Sequence, residues 1–404
     1  MADWSGLKHL NVALACTLAV VAPMLVECAA AQTNTAIDTQ GGAEEAVSNA
    51  TPVLQDCSVS RDTSFGGVYL DVTIDEFNDL GFSFGDKVDV VFSNGYQMSG
   101  IPYFNGYYVR VGNPLVVGYP GYPHVEVSVN NGDPLWDTAG LSEGDTATVT
   151  LVERGAFRDV QESFDIKYAN DRSEYKHETD EQFANFRPLS GGTLRQGRVY
   201  RSASPVDNEY GRASYVEDLM KQNGVGYVLN LSDNPDEIDA FLAEDDQAGI
   251  DASYFRQLQN RGCVGTLDLS ASYPSPSFAK KLSEGLIEMS RHEGHYLVHC
   301  IEGKDRTGFV CALLEALCGA SYDEMVIDYM ATFENYYGIT KQGDPTKYDA
   351  IVHLNLDGML AFLAGADDGT DLSSIDYAPF ARQYLKNGGM TDEQVDALIA
   401  RISE

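Results

Sequence analysis

His299 and Cys300 lead into Ile301-Glu302-Gly303-Lys304-Asp305, and Arg306-Thr307-Gly308 follows, so a cysteine and an arginine stand six positions apart in one short segment. Tyr296, Leu297 and Val298 before it read as the end of a buried strand, and Thr307 to Leu317 has the apolar spacing of a core helix. The segment is then a loop at which a helix N-terminus opens. Free backbone N–H groups at such a point, with the positive end of the helix dipole, form a cradle for a dianion. Cys300 would sit at its floor, where the same amides favour thiolate over thiol and make the sulfur a nucleophile. Arg306 adds a planar fork able to hold two phosphoryl oxygens and to follow charge as it spreads over them. The phosphate-binding set is therefore Ile301, Glu302, Gly303, Lys304, Asp305 and Arg306, mostly through their backbone. Gly303 and Gly308 permit tight turning and close packing. Thr307 offers a hydroxyl to the sulfur, and His299 orients the loop. A lone cysteine is more often a small buried hydrophobe. Placed between strand and helix with this arginine, it points instead to attack on a phosphate ester.

The loop resembles that of the bacterial protein-tyrosine and dual-specificity phosphatases with His-Cys-x-x-Gly-Lys-Asp-Arg-Thr-Gly, a lineage with a secreted mycobacterial member. More distantly it is similar to the phosphoinositide phosphatases, which also carry a loop lysine. Asn185-Phe186-Arg187-Pro188-Leu189-Ser190-Gly191-Gly192, Arg198-Val199-Tyr200-Arg201-Ser202-Ala203 and Asp328-Tyr329-Met330 resemble further segments of that family, so the likeness covers residues 180 to 400. Two places depart from it. Asn230-Leu231-Ser232-Asp233 stands where the family commonly has Asp-Leu-Arg-Ser, and Ser190 replaces a glycine.

The resemblance implies hydrolysis of phosphate monoesters through a phosphocysteine intermediate, with Cys300, Arg306, Thr307 and His299 in the catalytic set. A proton donor for the leaving oxygen is also needed. Asp305, inside the loop, is implied as that acid. Asp268 is its rival, because related phosphatases keep an acid on a mobile loop well upstream of the cysteine. Lys304 places a positive charge at the mouth, which fits phosphoinositides or inositol phosphates as well as phosphotyrosine, phosphoserine or phosphothreonine. The alternative class of function is a non-catalytic protein that uses the cradle to bind phosphorylated ligands. No metal or other cofactor is required by this chemistry, and His292 and His295 lack partners at metal-ligand spacing.

Asp and Glu outnumber Lys and Arg by 61 to 27, a net charge of −34, which makes nucleic acid a poor partner. Acidic runs such as Glu244-Asp245-Asp246 read as solvated faces and do not fit EF-hand spacing. After Lys8 an apolar stretch from Leu10 to Val26 leads to Ala29-Ala30-Ala31, which reads as a signal peptide over 1–31 and implies export, an uncleaved membrane anchor being the other reading. Residues 32–52 have the composition of a flexible linker. Cys57, Cys263, Cys300, Cys311 and Cys318 lie beyond the cleavage point, and pairing of Cys57 with Cys263 is left open.

Two domains follow. Residues 53–165 carry alternating runs, including Val88 to Phe92, Tyr107 to Val111, Val125 to Val129 and Ala147 to Leu151, separated by turn signals, which predicts a small all-β barrel or sandwich. Phe65-Gly66-Gly67-Val68, Gly85-Asp86-Lys87-Val88 and Leu141-Ser142-Glu143-Gly144-Asp145 resemble the C-terminal barrel of the S-adenosylmethionine hydroxide adenosyltransferases, whose α/β half is missing here. Tyr103, Phe104, Tyr107, Tyr108, Tyr119 and Tyr122 are candidates either for core positions or for a surface that binds an unknown partner. Residues 180–404 read as an α/β domain with a mostly parallel central sheet flanked by helices: strands at Tyr227 to Leu231 and Ala252 to Phe255, helices at Pro235 to Ala248 and Pro276 to Arg291, then the strand into the loop. Helices are predicted afterwards at Tyr322 to Tyr337, Ile351 to Ala364, Asp376 to Asn387 and Thr391 to Ile402.

Overall fold

The computed structural model describes residues 51–63, 66–120, 122–164, 166, 172, 179–367 and 369–403. The signal-peptide reading and nearly all of the linker lie outside these residues. Among them no helix is long and apolar enough to cross a membrane. The chain divides into two compact units. The first runs to Tyr107 and adds Pro114–Val129 and Asp133–Arg158, and the second comprises Tyr108–Asn113, Asn130–Gly132 and Asp159–Glu404.

The first unit is a closed barrel of β1 (Val53–Arg61), β2 (Val68–Leu70), β3 (Lys87–Phe92), β4 (Gln97–Phe104), β5 (Pro114–Val117), β6 (Glu126–Val129) and β7 (Thr146–Glu153), in the order β1-β2-β6-β5-β4-β3-β7. Closure leaves no free sheet edge. Alternation drives it: Val88, Val90 and Phe92 are buried while Lys87, Asp89 and Val91 are less so. Two short helices, α1 (Ile74–Asp79) and α2 (Leu135–Thr138), plug it with Phe77 and Leu135. Tyr103 and Phe104 belong to the buried interior. Tyr107 to Val111 is not a strand, contrary to its alternating pattern: the Val109 carbonyl accepts from the Asn130 side-chain amide at 2.6 Å and the Gly112 N–H donates to the Asn130 carbonyl at 2.7 Å, so a side chain and a turn satisfy this backbone instead of a ladder.

Past α3 (Arg158–Ser163) and α4 (Asp180–Phe183), the second unit is built on β8 (Arg187–Pro188), β9 (Val199–Ser202), β10 (Val225–Asn230), β11 (Val264–Thr266) and β12 (His295–His299), in the order β11-β10-β12-β9-β8. All neighbours are parallel except β8 with β9. Its helices are α5 (Ala213–Gln222), α6 (Pro235–Ala248), α7 (Ser253–Asn260), α8 (Pro276–Arg291), α9 (Asp305–Leu317), α10 (Tyr322–Tyr337), α11 (Pro345–Ile351), α12 (Asp357–Ala364), α13 (Ala378–Asn387) and α14 (Asp392–Ile402), with a π-helical segment at Val352–Leu356 between α11 and α12.

The two central strands are buried on both faces, which is why they carry the apolar runs Tyr227-Val228-Leu229 and Tyr296-Leu297-Val298. Tyr227, Leu229, Tyr296 and Val298 face one core with Leu282 and Leu286 of α8, Phe309 and Leu313 of α9, and Leu385 of α13. Val228 and Leu297 face the other with Val216 and Met220 of α5, Ile238 of α6, and Phe255 and Leu258 of α7. The strand expected at Ala252 to Phe255 is instead the start of α7, and the third parallel strand falls at Val264–Thr266. The reason is tertiary: the Glu217 carboxylate of α5 accepts from the Tyr254 N–H and, at 3.1 Å, from the Phe255 N–H, satisfying orphan donors of a helix N-terminus from across the core.

Candidate active site

β12 delivers His299 to the C-terminal edge of the parallel strands, the loop turns over residues 300 to 304, and α9 begins at Asp305. Gly303 makes the turn possible. It has φ +66°, and a Cβ there would lie 2.0 Å from the Ser202 carbonyl oxygen, so both backbone conformation and space require glycine.

The loop carbonyls are held from outside. Ile301 O accepts from the Ser204 N–H at 2.9 Å, Glu302 O from the Tyr336 hydroxyl at 2.6 Å, and Gly303 O from Arg201 Nη2 at 2.8 Å and Asn185 Nδ2 at 3.2 Å. The N–H groups of Ile301, Glu302, Gly303 and Lys304 have no acceptor among the described residues. A peptide whose carbonyl is anchored outward turns its N–H the other way, so the loop offers a set of unsatisfied donors, the arrangement that binds anions.

Buried charges lock this frame. Arg201 and Arg187 both reach Asp328 on α10: Arg201 Nη1 donates to Asp328 Oδ2, and Arg187 Nε to Oδ1 at 2.8 Å. Burial opposes the charge on Asp328, but the two guanidiniums outweigh it and hold the carboxyl below the usual carboxylate range. Arg187 Nη1 also donates to Asn185 Oδ1 at 2.5 Å, which aims the Asn185 amide nitrogen at Gly303.

Cys300 is 3% exposed, at the foot of this loop. All five cysteines of the described residues, Cys57 and Cys263 included, are free thiols. Thr307 is buried, and its hydroxyl has no partner among the described residues. His299 is buried as well; its Nδ1 lies 3.2 Å from the Cys300 carbonyl oxygen, and burial pushes the imidazole down to about 4, so it is neutral near pH 7. Arg306 is steadied by donating from Nη1 to the Leu269 carbonyl at 3.0 Å.

The two acid candidates differ in setting. Asp305 begins α9, is 65% exposed, and lies 3.8 Å from Lys304 Nζ. Asp268 is 61% exposed and 3.5 Å from Lys281 Nζ. Its backbone has φ +44°, and its neighbours pin it, Leu267 N–H donating to Asn230 O and Leu269 N–H to Leu231 O. The turn carrying Asp268 therefore adjoins Arg306 through Leu269. Asn230, at the departure from the family pattern, folds back on its own turn, where its Oδ1 accepts from the Ser232 and Asp233 N–H groups, each at 3.0 Å.

Lys304, which the sequence places as a positive charge at the mouth, has close acidic company. Its Nζ lies 2.7 Å from Glu302 Oε2, with the two side chains only 19% and 16% exposed, and 3.4 Å from the Tyr337 hydroxyl. Sequence reasoning assigned no part to the Glu302 side chain, to Tyr336, or to the Arg187–Arg201–Asp328 network. Their signal is that Arg187, Arg201 and Asp328 all lie in the segments that resemble the family, Arg201 on a strand where every residue is buried.

The tyrosine phosphatase family matches residues 181–404, which contain the loop and all of its supports, and the chain belongs to that family. Among individual relatives, the triple specificity protein phosphatase PtpB of Mycobacterium tuberculosis is 27% identical over 186 residues, a match covering 36% of this chain and 65% of that protein's length. A crystal structure of an uncharacterized conserved protein from Thermotoga maritima aligns at 24% identity with a TM-score of 0.20, covering 25% of this chain and 35% of that one, too slight a likeness to carry an argument.

Proposed function

We propose that this protein is an exported cysteine-dependent phosphatase that hydrolyses phosphate monoesters through a phosphocysteine intermediate. The observation that carries the proposal is the loop itself, in which the carbonyls of Ile301, Glu302 and Gly303 are all held outward while the amides that follow Cys300 find no acceptor among the described residues. A cradle with a sulfur at its floor and a guanidinium beside it suits a phosphoryl group better than any uncharged ligand.

In the first step the Cys300 sulfur attacks phosphorus, an S–P bond forms, and the P–O bond to the leaving alcohol or phenol breaks. The Asp305 carboxyl gives the departing oxygen its proton. In the second step water attacks phosphorus, loses a proton to the Asp305 carboxylate, and the S–P bond breaks, with the Thr307 hydroxyl donating to the departing sulfur. Amides and Arg306 hold the equatorial oxygens throughout. Asp268 remains the second reading for the acid, favoured by the Leu269 contact to Arg306.

The test is hydrolysis of p-nitrophenyl phosphate in buffer containing EDTA. The full chain is expected to turn over, and Cys300→Ser to lose turnover while still binding phosphate. A wild-type chain that binds phosphate and hydrolyses nothing supports the binding-protein alternative. The acid is identified with a poor leaving group such as phenyl phosphate, which needs its proton more than nitrophenolate does. Asp305→Asn is expected to remove the alkaline limb of the kcat profile, and the same result from Asp268→Asn alone would transfer the role.

A further inference from the structure

Four of the seven residues from Cys300 to Arg306 are ionisable on their side chains besides the cysteine: Glu302, Lys304, Asp305 and Arg306. A loop built to attract as many phosphates as possible would carry no carboxylate. Here Glu302 Oε2 lies 2.7 Å from Lys304 Nζ, and Asp305 Oδ2 lies 3.8 Å from the same ammonium. Two carboxylates thus converge on one cation, and neither Glu302 nor Lys304 is more than one-fifth exposed. Little solvent enters to screen the pair, so the compensation is effective. Burial opposes the charge on Glu302, but attraction and hydrogen bonding to Lys304 outweigh it and hold the carboxyl below the usual carboxylate range.

Resting on the phosphatase reading above, we propose that Glu302 is a built-in counter-ion to Lys304 and restricts the site to esters bearing a single phosphoryl group. The reacting phosphate needs only the amides and Arg306. A second or third phosphate on the same molecule would look for Lys304, find it neutralised, and meet the field of Glu302 and Asp305. An ester whose remainder is uncharged, such as a phosphotyrosyl side chain in a neutral peptide, suffers no such penalty. Glu302 is thus a specificity-determining residue, and polyphosphorylated inositol lipids are the excluded class.

The experiment compares kcat/KM of the full-length chain on a neutral phosphotyrosine peptide and on a soluble short-chain phosphatidylinositol trisphosphate. Glu302→Gln is expected to raise the trisphosphate-to-peptide ratio by about tenfold or more, on the scale of one charge-assisted contact. Glu302→Gln combined with Lys304→Met is expected to return the ratio to the wild-type value. A ratio that does not move in Glu302→Gln, or a rise that persists without Lys304, overturns the inference. Binding of inorganic phosphate and of pyrophosphate to the Cys300→Ser chain, with and without Glu302→Gln, is measured alongside. A shift in that selectivity without turnover in any chain would sink the enzyme reading alone. Turnover with unmoved selectivity would sink the counter-ion alone.

Discussion

At the scale of single residues, the site depends on a backbone shape that few side chains permit. Gly303 has left-handed backbone and no room for a methyl group against Ser202, an obstacle that is main chain and cannot rotate away. Gly303→Ala is therefore expected to abolish phosphate binding while most of the fold remains, read as loss of the phosphate-induced rise in Tm. Arg306 differs in kind, because its place is set by one hydrogen bond to Leu269 and its work is done by a two-pronged fork. A lysine there would keep the charge and lose the geometry. Arg306→Lys should lower kcat/KM by roughly a hundredfold or more, comparable with losing a preorganised donor to the transition state.

At the scale of elements, three segments distant in sequence cooperate to hold one loop. Arg187 on β8, Arg201 on β9 and Asp328 on α10 form a buried cluster whose outer donors reach Gly303 directly or through Asn185. Removing the Asp328 carboxylate takes from both guanidiniums the counter-ion they share in a dry interior. Asp328→Asn should cost about 3–5 kcal/mol in chemical denaturation, the scale for breaking a buried ion pair. The sign with pH follows from the lowered carboxyl: its contribution is present above the unfolded value near 4 and is lost as pH falls through the folded value. Acid titration of stability should therefore be shallower in Asp328→Asn than in the wild type.

At the scale of the whole molecule, the chain carries a net charge of −34, and the substrate proposed for it is itself anionic. The cradle is a local positive feature within a repulsive far field. That field reaches only about 8 Å at physiological ionic strength but about 30 Å at 0.01 M. Adding sodium chloride across this range should raise kcat/KM for a charged phosphopeptide and leave an otherwise neutral phenyl phosphate less affected. A fall with salt for both substrates would mean that attraction near the loop outweighs the acidic surface.

Much of the architecture is written locally. The helices at Pro276–Arg291 and Tyr322–Tyr337 start at serine caps, Ser275 and Ser321, and both lie where apolar spacing puts them. The residues from Cys300 to Arg306 are joined covalently, so their spacing alone makes the sulfur, the loop amides and the guanidinium candidates for one phosphate site. Where a distant partner decides the outcome, local pattern misleads. Ala252 to Phe255 reads as a strand until Glu217 supplies a cap, and Tyr107 to Val111 does so until Asn130 takes up its backbone. Lys304 reads as a positive charge at the mouth, and folding of the loop adds its pairing with Glu302. Chain connectivity determined which groups could act together, and packing decided which charges would already be neutralised, since a buried charge takes the partner that three-dimensional folding brings to it.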